Sequence, residues 1–132
     1  MAHVSDVDRA AEFYTLLGFS CESRFTGEAG VTNFAGLVAR QAEIFLARAS
    51  EPVVPSAQSV LFYLYSDDIA GLRRHLLTKG LLDGGPPPGE GRPIQLPERN
   101  VAFDLRYPFY MPAGELRVHD LDGYCLLVGQ LA

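Results

Sequence analysis

Basic clusters, long apolar runs and paired cysteines are all missing from this sequence. Eleven Lys and Arg stand against sixteen Asp and Glu, giving a formal net charge of −5 and a pI near 5.1. Nucleic-acid and anionic-membrane surfaces need concentrated Lys and Arg to offset phosphate charge, so neither is an expected partner. No stretch approaches the roughly 18 to 20 uninterrupted apolar residues of a membrane span, and the first residues lack a charged segment leading into an apolar one. A cytoplasmic protein is the expectation. Cys21 and Cys125 are the only cysteines and neither has a CxxC companion, which argues against a zinc site or a disulfide framework. Both read as small buried side chains.

What is present suffices for one packed domain: 132 residues, 48% of them hydrophobic and 20% charged. Within it two segments say nearly the same thing, SDVDRAAEFYTLLGF at residues 5–19 and SDDIAGLRRHLLTKGL at 66–81. Each opens with acceptors for the orphan N–H groups of a first helical turn, Ser5 or Asp6 in one and Ser66 or Asp67 in the other. Val7, Ala10, Ala11, Tyr14 and Leu17 recur at helical spacing, as do Ile69, Leu72 and Leu76 with Leu77 beside them. Gly18 and Gly80 then suit the left-handed position past a helix end. Helices are expected near residues 6–17 and 67–79, and a repeat of about half the chain implies two copies of one supersecondary unit.

After the first helix, GFSCESRF, VTNFAGLVA and AEIFLARA read as three strands. SEPVVPSAQ, with Pro52 and Pro55, reads as a linker, and SVLFYLYS as a strand entering the second helix. DGGPPPGEGRP cannot continue a helix or a central strand and reads as a mobile loop. VAFDLRYPFYM, GELRVHD and GYCLLVGQ then supply the closing strands, with Asp122-Gly123 as the turn before the last. The expected class is α+β: two tandem βαβββ modules, about 1–50 and 57–132, forming curved mixed sheets around a cleft, with the first strand short or missing.

The pattern D-V-x-R-A-x-x-F-Y-x-x-L-G-F over residues 6–19, together with D-x-D-G at 120–123, resembles the vicinal oxygen chelate superfamily. That superfamily includes glyoxalase I, bleomycin-resistance proteins, fosfomycin-resistance enzymes and extradiol dioxygenases. The resemblance spans almost the whole chain, with Leu121 standing where proline is usual. Such motifs are structural punctuation and identify a fold rather than a function.

The resemblance implies metal ligands on the first and fourth strands of each module. Here the first would lie upstream of Val4 and the second near Glu43. The third would fall at Val60 or Leu61 and the last at Leu127. Hydrocarbon at two of these positions cannot donate to an ion, and one carboxylate does not hold a metal against water. No cofactor is expected, and Glu43 stays as a residual metal-ligand candidate beside its reading as a solvent-facing strand residue. His3 reads as a terminal or strand-end residue, and His75 as part of a solvated helix face.

In ELRVHD, period two puts Glu115, Arg117 and His119 on one face and Leu116 and Val118 on the other. If the apolar pair packs under a helix, Arg117 can anchor a polar or anionic ligand group and His119 can exchange a proton, which makes these two the candidate catalytic residues. The same register gives one side of the sheet Leu61, Tyr63 and Tyr65, with Leu127 and Cys125 on the last strand. The candidate ligand-binding set is Leu61, Tyr63, Tyr65, Tyr107, Arg117, His119 and Leu127. The expected function is metal-independent small-molecule binding of the bleomycin-resistance-like branch, sequestering a drug or metabolite. The alternatives are a superfamily lyase, transferase or dioxygenase with an unrecognised or partly lost metal site, and a structural or regulatory domain. A homodimer is expected from the resemblance and from the sheet edge that a truncated first strand would leave.

Overall fold

The computed structural model describes residues 1–27, 29–40, 42–58, 60–87 and 99–131. The chain divides into two compact units, Met1–Val53 and Val54–Ala132.

The first unit runs β1 (Ala2–Val4), α1 (Val7–Leu16), β2 (Ser20–Thr26), β3 (Thr32–Ala39) and β4 (Ala42–Arg48). Its four strands are ordered β1-β4-β3-β2, with β1 parallel to β4 and the other pairs antiparallel. The first strand is thus short but present. Asp6 caps α1 by accepting from Arg9 N at 3.1 Å, a contact typically worth about 1 kcal/mol. Gly18, at φ +99°, takes the left-handed position past its end. Val7, Ala10, Ala11, Phe13 and Tyr14 are buried on α1, and Ala2, Val4, Ala35, Leu37 and Leu46 are buried on the strands beneath it.

The second unit runs β5 (Leu61–Ser66), α2 (Ile69–Thr78), β6 (Leu82–Asp83), β7 (Val101–Ala102), β8 (Glu115–His119) and β9 (Cys125–Gln130), after a single 3₁₀ turn at Pro55–Ala57. Its sheet has the order β5-β9-β8-β7-β6. The β5–β9 and β6–β7 pairs are parallel, and β7–β8 and β8–β9 antiparallel. Helix α2 lies on β7, β8 and β9; Ile69 and Leu76 are buried on the helix, and Leu116, Val118 and Leu126 are fully buried on the strands. Each such aliphatic side chain contributes about 1.5 to 3 kcal/mol by leaving water. The two units therefore repeat one plan, with β6 an addition in the second.

Two local expectations need correction. The cap of α2 is neither Ser66 nor Asp67 but Asp68, whose Oδ1 accepts from Gly71 N at 2.9 Å, while Ser66 Oγ accepts from Asp68 N at 3.1 Å. Three consecutive acceptors before a helix are indistinguishable by residue type. The segment VAFDLRYPFYM contributes only the two-residue β7 and a bridge between Arg106 and Glu115. Pro108 cannot donate to a ladder, and the chain turns there, with Met111 N bonding Pro108 O at 3.0 Å. Most of the loop expected in DGGPPPGEGRP falls at residues 88–98, outside the described residues.

The DLDG turn is tightly specified. Asp120 Oδ1 accepts from Asp122 N at 3.0 Å and Tyr124 N at 2.8 Å, and Gly123 N bonds Asp120 O at 3.1 Å. Gly123 has φ +87°, and a Cβ there would lie 2.2 Å from Pro55 O. Both the backbone conformation and the packing of Pro55 require glycine.

Candidate functional site

Register decides which side chains share a face. Leu61, Tyr63 and Tyr65 on β5 pair with Cys125, Leu127 and Gly129 on β9, which pair in turn with His119, Arg117 and Glu115 on β8. Alternate residues Leu116, Val118, Leu126 and Val128 point to the helix side and are buried. All the strand residues of the expected ligand-binding set therefore lie on the face of this sheet away from α2. The exception among the seven is Tyr107, which comes from the turn-rich segment before β8 and is exposed, with its ring edge beside Gly114.

At one end of this face sits Glu115, fully buried. Its carboxylate accepts from Tyr63 at 3.0 Å, Tyr110 at 3.1 Å and Arg106 Nε at 3.2 Å, and the Arg106 terminal nitrogen pairs with it at 3.1 Å. Arg106 also donates to the Tyr110 hydroxyl at 2.9 Å. A buried carboxylate is costly unless charge and hydrogen bonds compensate it, and here both do. Burial and the neighbouring Glu115 charge together push the Tyr63 hydroxyl up to about 12.

Next along β8 is the half-buried Arg117, whose Nε donates to His119 Nε2 at 2.9 Å. Among the described residues no carboxylate pairs with Arg117. The His119 ring is 1% exposed and meets the edge of Phe103 at 4.9 Å between ring centres. Burial, reinforced by the Arg117 charge, lowers its pKa to about 4. With Nε2 accepting, the neutral ring carries its proton on Nδ1, a buried atom without a hydrogen-bond partner among the described residues. A histidine in these surroundings is not poised to exchange a proton near neutral pH. Cys125 lies beside Arg117, and burial raises its thiol, so it is not thiolate-like. Both cysteines are half-buried rather than buried, and both are free.

Aromatic surface rims the polar floor. Tyr63 and Tyr65 rings approach to 5.3 Å, and Phe109 and Tyr110 to 5.5 Å. Tyr65, Tyr107 and Phe109 are 60%, 67% and 95% exposed, a large apolar display for a packed unit. Sequence reasoning missed Arg106, which has no strand period to reveal it, since it reaches Glu115 through the chain reversal around Pro108.

The first unit has its own non-helix face. Phe34 and Phe45 stack at 5.5 Å there, and Phe25 pairs with Phe34 on the adjoining strand. Glu43 pairs with Val38, is exposed and shares this face, as does His3 opposite Ala47. The caps Asp6 and Asp68 set the repeat register, which matches His3 with Tyr65 and therefore Ala47 with Gly129. Two and four residues back, Phe45 answers to Leu127 and Glu43 to Cys125. The position equivalent to Leu127 is thus a phenylalanine. Leu61, Leu127 and Phe45 offer no donor atoms, and among the described residues no three His, Cys, Asp or Glu side chains gather to hold a metal ion. The donor set does not fit a divalent cation at the positions the resemblance implies.

No family model and no curated protein matches this sequence. Solved structures do match it. A bleomycin resistance determinant encoded on the transposon Tn5 is 20% identical, with a TM-score of 0.67 over 96% of this chain and 90% of that one. A bleomycin-binding protein solved with bleomycin is 18% identical, with a TM-score of 0.67 over 100% and 98% of the two chains. TnmS3, an antibiotic-binding protein from a Streptomyces species, is 20% identical, with a TM-score of 0.55 over 99% and 91%. The chain has the tandem-module α+β fold of the glyoxalase/bleomycin-resistance proteins. No described helix is long and apolar enough to cross a membrane.

Proposed function

We propose that this protein is a metal-independent binder of a small organic molecule, holding a drug or metabolite against the non-helix face of the β5–β9–β8 sheet. The observation that carries the reading is Arg117: a half-buried guanidinium without a carboxylate partner among the described residues, on a face rimmed by exposed tyrosines. Tyr63, Tyr65 and Tyr107 supply ring surface worth about 0.5 to 1.5 kcal/mol per good contact, with Leu61 and Leu127 as apolar wall. Arg117 orients the polar end of the ligand by a charge-assisted bond, and His119 holds the arginine in place. The shared fold with bleomycin-binding and antibiotic-binding proteins supports binding of this kind.

Binding is favoured over catalysis because the residue best suited to proton transfer, His119, has its lone pair engaged and its pKa depressed. Sequestration in the cytoplasm by a homodimer completes the proposal. The outer edges of β1 and β5 end their sheets, and exposed Phe109 offers apolar surface to a second copy. A screen of glycopeptides, phosphonates, catechols and glutathione hemithioacetals, read by thermal shift and by product formation, tests the reading. Stabilisation without turnover is expected. Turnover that depends on Arg117 or His119 would replace it with the enzyme alternative.

A further inference from the structure

The charges on this face are unevenly spent. Glu115 is its acidic group, and all its accepting capacity toward the interior goes to Tyr63, Tyr110 and Arg106. An incoming cation would have to displace Arg106 from a fully buried carboxylate, leaving one charge or the other uncompensated. Arg106 is correspondingly committed, with Glu115 and Tyr110 as its partners. Arg117 differs. Its Nε is used by a neutral imidazole, which does nothing to balance its charge, and the remaining nitrogens have no carboxylate among the described residues. His119 Nδ1 adds a second donor without an acceptor among the described residues. Leu127, Arg117's direct neighbour on β9, and Leu61 bring no countercharge.

We infer that the ligand is an organic anion, an aromatic or extended apolar molecule ending in a carboxylate, phosphonate or similar group, and that Arg117 selects it over cationic and neutral molecules of the same shape. The inference rests on the binding reading above and names its ligand class. It runs against the chain's overall charge of −5, because selectivity is set by the unpaired local charge and not by the total.

The test uses three probes of one shape, 2-naphthoate, 2-naphthamide and 2-naphthylmethylammonium, titrated calorimetrically against the full chain and against Arg117→Gln and Arg117→Lys. The expected result is 2-naphthoate bound at least about tenfold more tightly than the other two, that preference lost in Arg117→Gln and partly kept in Arg117→Lys. Circular dichroism on each variant confirms folding, and Arg117→Lys reports on charge if Arg117→Gln does not fold. Equal or tighter binding of the amide or ammonium probe would overturn the anion inference while leaving an aromatic binding face in place. So would 2-naphthoate affinity unchanged in a folded Arg117→Gln. Failure of all three probes to bind at millimolar concentration would overturn both the inference and the binding reading beneath it.

Discussion

Tyr63 on β5 reaches Glu115 on β8 across the intervening strand, at 3.0 Å from hydroxyl to carboxylate, and passes over Gly129 to do so. A Cβ built on Gly129 would lie 3.2 Å from the Tyr63 hydroxyl, 2.7 Å from Met111 Cε and 3.1 Å from Met111 Sδ. The missing side chain is what lets a tyrosine from an edge strand satisfy a buried carboxylate two strands away, with Met111 laid over both.

Gly129→Ala should therefore destabilise the protein by about 1 kcal/mol, the low end of the overpacking range, because the atom a Cβ presses first is the free end of the flexible Met111 side chain. Denaturant unfolding measures it, and Met111→Ala in the same background should recover part of the loss by removing the clashing thioether. No recovery would mean that the Tyr63–Glu115 contact, not Met111, bears the strain.

Tyr63→Phe leaves Glu115 with Arg106 and Tyr110 and should cost about 1 to 2 kcal/mol at neutral pH. A second signature is pH dependence. The folded Tyr63 pKa is raised from 10.0 to about 12, so its stabilising effect is complete below pH 10 and is lost as the pH rises toward 12, where the unfolded chain ionises first. Alkaline unfolding curves for the two proteins should converge over that window.

His119 gives the opposite limb. Its pKa falls from 6.5 to about 4 on folding, so the unfolded state takes up a proton first on acidification, and stability drops between those values by up to about 3 kcal/mol. His119→Phe, which removes the titrating group, should flatten this limb. In NMR titrations the His119 ring protons should stay at their neutral shifts down to pH 5.

The fold was legible because it is written in local chemistry. Asp6 with its helical stripe and Gly18, and the near-copy ending in Gly80, are short-range signals that tertiary packing does not override. Strand period alone groups Leu61 with Tyr63 and Tyr65, and Arg117 with His119; that these groups and Leu127 lie on one face of the sheet needed the pairing of β5, β9 and β8. The Glu115 network was not legible, because Arg106 and Tyr110 return to β8 through turns around Pro108 that carry no period. Nor was the match of Phe45 with Leu127. A resemblance read along one strand cannot see how β1 and β4 pair, and that pairing shifts Glu43 one strand period from the position assigned to it.

The most direct test of the proposed binding face is an ¹H–¹⁵N correlation titration of uniformly labelled protein with 2-naphthoate. Backbone shifts should concentrate at Tyr63, Tyr65, Arg117, Cys125 and Leu127 and spare the exposed face of α2 at His75 and Lys79. Saturable shifts confined to residues off the β5–β9–β8 face, or none up to millimolar probe, would contradict the claim that this sheet face is where the protein holds its ligand.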